Sequence, residues 1–395
     1  FQDFKQTSHE FQISSDSTGP LNYVAGFYYL EADSFITSGP IQPFTVTHEA
    51  EAQAFYGELT YDFNDNWSMT LGARYTDEDK NMESFSWPPV VGDADRIANN
   101  TDPSVLQMAA TPSFSDDNVT YRAVIQRNFS RGMAYASYST GFRSGGFFNR
   151  GTTPSEVEPY DSEEVDNIEI GIRTNPTEST QLNLTYYSAE YTGMQLPVIT
   201  PASFPECGKG GAAEDAAGIT CSFIKNVGET SMDGIEVEGI WMPTDALTLR
   251  GSLGTLDGNY DSYDYNGADI SGTAQLLYAP ELTWSVGAEH VSEILGGELI
   301  LTANYSFQDE VYTQTPWAIY DPATFPKITI DDWESLDVSA TYLRDTANGT
   351  FKVILYGTDV LEDGNRVQRR YTTGSFTWAE IAPRQQFGIT IGYEF

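Results

Sequence analysis

The chain has 395 residues, with 57 acidic against 20 basic side chains and a formal net charge of −37; this excess of negative charge excludes a nucleic-acid partner, whose phosphates it would repel. No run of about 18 apolar residues occurs, so a transmembrane helix is excluded as well. Aromatics at 13%, 34 glycines and a mean hydropathy of −0.36 suit β-sheet with aromatic girdles, and nothing in the composition marks a boundary between domains.

Alternation of apolar and polar residues with a period of two marks about 15 strands. In chain order they fall near residues 7–15, 21–36, 49–64, 66–80, 117–129, 131–143, 162–175, 179–198, 223–241, 246–260, 280–292, 297–314, 332–345, 349–361 and 385–395. YVAGFYYL, within the second, is apolar on both faces. In LTLRGSL, Leu247, Leu249 and Leu253 oppose Thr248, Arg250 and Ser252; in ELTWSVGAEH, Leu282, Trp284, Val286 and Ala288 oppose Thr283, Ser285, Gly287 and Glu289. The last strand is the cleanest, with Phe387, Ile389, Ile391, Tyr393 and Phe395 on one face and Gly388, Thr390, Gly392 and Glu394 on the other. One face of such a strand favours hydrocarbon and the other favours water. When this recurs with no intervening helices, a membrane barrel satisfies both faces. The expected fold is all-β, a transmembrane antiparallel meander β-barrel.

The connections alternate between short and long. DSTGP, NDN, SRG, NPTES, MPTDA, Gly296–Gly297 and TANG are short; residues 81–116, 144–161, 199–222, 261–279, 315–331 and 362–384 are long. Membrane barrels built from hairpins have short turns on the periplasmic side and long loops outside, so the alternation orients every strand. Phe63, Trp67, Phe129, Trp241 and Phe395 then fall at periplasmic ends as an interfacial girdle. Trp87, Trp317, Trp333 and Trp378 fall in or beside the long loops. Acidic groups such as Asp77, Glu78 and Asp79, then Glu156, Glu158, Asp161, Glu163, Glu164 and Asp166, and later Asp257, Asp261, Asp264 and Asp269, read as solvated connections between strands. The final strand must end in the periplasm, and counting back gives an odd strand number where such barrels close with an even one. FQDFKQTSHEF at the start carries no signal-peptide pattern. The expectation is therefore the C-terminal portion of a larger barrel, forming one unit over residues 1–395, with two unpaired edges.

Chemistry-bearing motifs are sparse. Cys207 and Cys221 share one Gly/Ala-rich stretch, where a disulfide would stabilise by about 3 kcal/mol in an oxidising compartment and where two free thiols are the alternative. His9, His48 and His290 are scattered, with no HxxxH or CxxC setting, so neither a metal site nor a cofactor is expected. No GxSxG elbow or phosphate-binding loop is present, which leaves no catalytic set.

YASYSTGFRSGGFFNRG from Tyr135 to Gly151, followed by EEVDNIEIGIRTN, resembles the barrel of TonB-dependent outer-membrane receptors. There a strand of the form YxSYSxGFxSGGF rises to the outside and a strand with Glu-x-Gly returns. Tyr135, Tyr138, Gly141, Phe142, Gly145, Gly146, Glu164, Glu169 and Gly171 carry the match. DGIEVEGIW with Gly234, Glu236 and Glu238, FKVILYGTDVLED, and PRQQFGITIGYEF with Pro383, Arg384 and Phe395 are similar to other stretches of that family, so the resemblance spans the chain. It departs at Asp359, where members often carry Asn, and in lacking the N-terminal plug and about a third of a barrel of about 22 strands. The resemblance implies a Gram-negative cell outer-membrane receptor, not an enzyme. Such a receptor takes up a scarce ligand, most often a ferric siderophore complex, into the periplasm through the TonB complex acting on the plug. Implied partners are outer-membrane lipid and lipopolysaccharide, the TonB complex and the small ligand. Arg143, Phe147, Phe148, Asn149, Arg150 and Trp87 mix basic and aromatic groups at the outer rim and are the candidate ligand contacts; Phe395 is the candidate assembly signal. A passive porin is the alternative reading, and a rim-located outer-membrane hydrolase or a soluble propeller fits less well, the propeller for want of a repeat of about 40–50 residues.

Overall fold

The computed structural model describes residues 2–15, 18–38, 44–87, 106–211, 213, 220–265, 267–313, 328–361, 366–372 and 377–395. A 16-stranded antiparallel sheet dominates it, and 15 of its strands follow one another in chain order. They are β1 (Gln2–Ser14), β2 (Leu21–Ser38), β3 (Phe44–Asn64), β4 (Trp67–Ser86), β5 (Ser113–Phe129), β6 (Gly132–Arg143), β7 (Glu163–Thr177), β8 (Thr180–Thr192), β9 (Glu229–Thr244), β10 (Leu247–Tyr260), β11 (Leu282–Ile294), β12 (Gly297–Gln308), β13 (Trp333–Thr346), β14 (Gly349–Thr358) and β15 (Gln386–Glu394). The short segment Met108–Ala110 adds to the upper end of β4. Among the described residues, β1 pairs with β2 alone and β15 with β14 alone, so the wall has two free edges. β1 is exposed on both faces along its whole length.

Register fixes which side chains share a face. Across the antiparallel pairs, Ile170, Tyr186 and Ile235 form one outward row, and Leu253, Trp284 and Phe307 another. Leu355 and Ile389 continue this face to the last strand. Ile170, Ile235, Val286, Leu355 and Ile389 are among the most exposed large apolar side chains of the molecule. Rows of exposed Val, Ile and Leu on most of the strands, with Tyr138 on β6, make a surface suited to hydrocarbon. On β7 it runs from Asp166 to Thr174, which matches the roughly 9–11 residues a tilted strand needs to cross a bilayer.

Both borders of this band are aromatic. At the turn end stand exposed Phe63, Trp67, Phe129, Trp241 and Phe395, with the Arg127 guanidinium over the Trp67 ring at 5.5 Å. At the loop end, Tyr75 donates to Asp77 at 3.4 Å and Tyr186 to Asp233 at 3.2 Å, while Tyr138 donates to Asp166 and Tyr305 to Glu334. A tyrosine ring in the apolar band with its hydroxyl on a carboxylate one step higher marks an oil-to-water border. Here the structure corrects one expectation. Asp77, Asp79, Glu164, Asp166 and Asp257, read with the solvated connections although the expected strands 66–80, 162–175 and 246–260 include them, lie in strands that continue beyond the band. Several face like charges directly, as Asp77 does Asp117 and Asp166 does Glu190.

The turns are tight where the sequence expects them. Leu295 and Gly296 both take positive φ, 53° and 75°, the geometry of a two-residue hairpin that follows strand twist. Two expected strands prove to be composite. Residues 179–198 break after Thr192 and 223–241 begin anew at Glu229, with Gly193 (φ 65°) and Gly228 (φ 145°) at the breaks. The upper pieces, Gln195–Pro201 and Thr220–Asn226, form their own hairpin. Period-two alternation cannot register a bend that keeps the strand character on both sides. The 297–314 strand likewise ends at Gln308, and Trp317 lies outside the described residues.

Val286→Arg, in the centre of the apolar band, is expected to cost about 2–4 kcal/mol in lipid. Ser285→Arg, on the opposite face, should cost far less; urea titration of folded protein in phospholipid vesicles measures both.

Candidate functional site

The inner face of the wall is polar and internally paired. Arg122 meets Glu58 at 3.1 Å, Arg74 lies 5.7 Å from the centres of both the Tyr28 and Tyr56 rings, and Tyr56 donates to Glu10 at 2.6 Å. Tyr135 donates to Glu169 under the Arg173 guanidinium. Several of these tyrosines lie flat over a glycine of the next strand. A Cβ on Gly171 would stand 2.4 Å from the Tyr135 ring and one on Gly26 2.4 Å from Tyr56, so the Glu-x-Gly pattern of β7 makes room for the rising strand's tyrosine.

At the loop end, the chain folds inward and builds the only substantial cores among the described residues. The loop from Ser144 to Asp161 packs Phe147 and Val157 against Phe44, Val46, Met82 and Met108. Val46 and Met82 lie on the inner face, in register parity with Tyr56 and Arg74. The loop therefore lies over the lumen side of the wall. Lys80 donates to Ser144 Oγ at 2.5 Å and to the Gly145 carbonyl at 2.8 Å, and Ser162 accepts from the Gly145 amide at 3.2 Å. A Cβ on Gly145 would stand 2.2 Å from the Tyr160 carbonyl and 2.5 Å from Phe114. The SGGF motif is thus a place where one backbone passes against another.

The described residues of a second loop, within 193–211 and 220–228, dock on the first. The structure joins Cys207 to Cys221, both fully buried beside Ala202 and Phe223. Gln195, also buried, donates its side-chain amide to the carbonyls of Arg143, Ser144 and Asp161. Asn226 donates to those of Asp161, Ser162 and Gly193. Between the loops lies Glu156, 4% exposed. Its Oε2 accepts from the amides and hydroxyls of Thr152 and Thr153 at 2.7–3.2 Å. Its Oε1 accepts from Lys209 Nζ at 2.9 Å and the Ser222 amide at 3.0 Å. Burial pushes this carboxyl upward, but the Lys209 ammonium and the amides of Thr152 and Ser222 outweigh it and hold the group below the usual carboxylate range.

The candidate contacts separate by position. Arg143, Asn149 and Arg150 are exposed and Phe148 half-buried, all around the first loop. Phe147 and Trp87 are buried, at 8% and 7% exposure, with Phe147 edge-on to His48 at 6.0 Å. Further round the mouth, a cavity of about 340 Å³ is lined by Leu256, Gly258, Leu276, Glu281, Asp309 and Tyr312. Its acidic members, Glu281 and Asp309, give this part of the mouth a negative lining. The structure corrects the reading of Glu156 as a solvated loop acid, since it is buried, and sequence reading missed Gln195 and Asn226, because a polar residue in a polar loop has no periodicity to betray it; Thr153 and Glu156 do form a capping box at the short 3-10 turn Pro154–Val157, a signal legible in TTPSE. Asp359, the departure in the family motif, takes φ 53°, a left-handed conformation that Asn and Asp tolerate better than most residues.

Long antiparallel strands, an apolar band between aromatic borders, a polar inner face and loops folded over one end define the wall of a transmembrane β-barrel. The family model described as TonB dependent receptor-like, beta-barrel, matches residues 1–392, and the chain belongs to that family. The family is one of transport receptors rather than enzymes. The structure is similar to that of the ferric yersiniabactin uptake receptor FyuA from Yersinia pestis, with a TM-score of 0.76 and 16% identity over 100% of this chain and 55% of that one. It is also similar to the ferric-catecholate import receptor Fiu from E. coli K12 in its closed form (TM-score 0.68, 13% identity, 99% and 54%) and to the siderophore receptor PiuA from Acinetobacter baumannii (0.65, 16%, 99% and 56%). The chain spans just over half the length of these structures. No match was found among curated proteins.

Gly145→Ala is expected to displace the first loop and cost about 1–3 kcal/mol of its local stability, because its nearest neighbour is backbone and cannot yield. Gly272→Ala, where a Cβ meets nothing within 4 Å, should be neutral; hydrogen exchange of residues 143–162 distinguishes the two.

Proposed function

We propose that the chain forms the C-terminal wall of an outer-membrane uptake receptor that takes a scarce ligand, a ferric siderophore complex, into the periplasm, energised by the TonB complex through a plug domain. The observation that carries this reading is the mouth itself. The loops turn inward over a polar lumen and rest on built cores, whereas an open channel for small solutes needs no such roof. Arg143, Asn149 and Arg150, with Phe148 beside them, supply charge and an aromatic surface for an anionic chelate. Phe147 and Trp87 support them from beneath.

Outer-membrane lipid, with lipopolysaccharide in the outer leaflet, is the proposed cover of the apolar band. Further strands of the receptor would pair with the edges of β1 and β15, since hydrocarbon does not tolerate unpaired backbone groups. Phe395, fully exposed and edge-on to Tyr393 at 5.1 Å, suits an assembly signal read at the end of β15.

Cells lacking the protein should fail to accumulate radiolabelled iron from one ferric chelate among hydroxamate, catecholate and citrate complexes, and Arg143→Ala with Arg150→Ala should reduce that uptake by about tenfold or more. Uptake that persists when the TonB complex is removed would instead indicate a passive channel.

A further inference from the structure

We propose that Glu156 and the Cys207–Cys221 disulfide act as one clasp, in which Glu156 is the positioning residue that fixes the disulfide loop against the loop presenting Asn149 and Arg150. The consequence for ligand rests on the uptake reading above; the clasp itself rests on geometry. Glu156 Oε2 is fully engaged by its own loop, through Thr152 and Thr153. Oε1 alone crosses to the second loop, where it meets Lys209 and the Ser222 amide. Those two donors stand on the two arms closed by the disulfide: Lys209 follows Cys207 by two residues and Ser222 follows Cys221 directly. The bond therefore assembles a cation and an amide into one receptor for a buried carboxylate. Without it, bringing the arms together requires closing the intervening loop, at an entropic cost. Both sulfur-bearing residues are fully buried, as suits a structural bond.

The remaining joins between the loops are of another kind. Gln195 and Asn226 are neutral and bond backbone carbonyls. Glu163 accepts the Gln195 amide at 2.6 Å from a half-buried position. Of the other charged groups nearby, Arg150 and Glu158 are exposed on the first loop, Lys225 pairs with Glu206 on the second, and Met108–Ala110, which packs against the 3-10 turn, brings none. Glu156 is thus the buried charge on which the docking turns. Because its folded-state pKa is lowered, its contribution is present above the usual carboxylate range and is lost as pH falls through the lowered value.

The test is an electron-spin distance measurement in the complete protein, with non-cysteine labels replacing exposed Asn149 and Pro205. A narrow distance distribution at neutral pH that broadens on acidification is expected. Glu156→Gln should be broad at every pH, Cys207→Ser with Cys221→Ser likewise, and the three changes together no broader than either alone. Lys209→Gln should move the acid transition upward, while Glu163→Gln should leave it in place. A narrow distribution in Glu156→Gln, or effects of the acid and disulfide variants that simply add, would overturn the clasp. In the unlabelled protein, Glu156→Gln should weaken binding of the ferric chelate recognised by the native chain by about tenfold. Native protein that binds none of the ferric catecholate, hydroxamate or citrate complexes would remove the uptake reading of the mouth, and the label distances would still decide the clasp.

Discussion

Backbone amide and carbonyl groups cannot be left unpaired in hydrocarbon, and every other feature of this molecule follows from meeting that demand with strands. Each unsatisfied group would cost several kcal/mol in a bilayer. The antiparallel ladder from β1 to β15 meets the demand between neighbours. Because side chains alternate along a strand, the same ladder sorts them into an oily face and a wet one. Tyr186 and Tyr187 show the sorting within two residues: the first is exposed in the outward row and bonds Asp233, the second lies over Gly234 on the inner face.

The two faces then use different physics. Outside, side chains meet in cross-strand ring pairs such as Trp284 with Tyr305 at 5.2 Å, and tyrosines reach the carboxylates above the band. The rows of facing acids, Asp233 opposite Asp257 for instance, account for part of the large negative charge and place it at the border of the bilayer rather than in wandering loops. Inside, pairs such as Arg122 with Glu58 and Ser252 with Ser285 at 2.7 Å satisfy polar groups without a hydrophobic core. Among the described residues, the built cores appear where strands end and loops fold inward.

The wall was legible in the sequence because period-two alternation and alternating connection lengths are imposed by the bilayer and survive residue by residue. The expected strand number matches the meander, and Phe63, Trp67, Phe129, Trp241 and Phe395 stand where the orientation places them. The upper third was not legible, for physical reasons. Strands that continue above the bilayer lose their apolar face, so acids such as Asp77 and Asp166 read as solvated charge although the strand bounds included them. Hairpins bent at Gly193 and Gly228 kept their alternation and read as single strands. Buried polar joins such as Glu156, Gln195 and Asn226 depend on partners distant in sequence, and only the capping box around Glu156 leaves a local trace. Composition suggested a basic and aromatic rim but could not tell exposed Arg150 from packed Phe147.

The central claim is that one face of each strand meets lipid and the other water. Spin labels placed singly along β11 and β12, from Thr283 to His290 and from Leu299 to Ser306, in protein reconstituted in bilayers test it most directly. Collision with dissolved oxygen should peak at Trp284, Val286, Ala288, Leu301, Ala303 and Tyr305, and collision with a water-soluble nickel chelate at the residues between. Equal exposure to both reagents on the two faces, or protection of the apolar positions from both, would contradict a lipid-facing wall and point to a face buried against other protein.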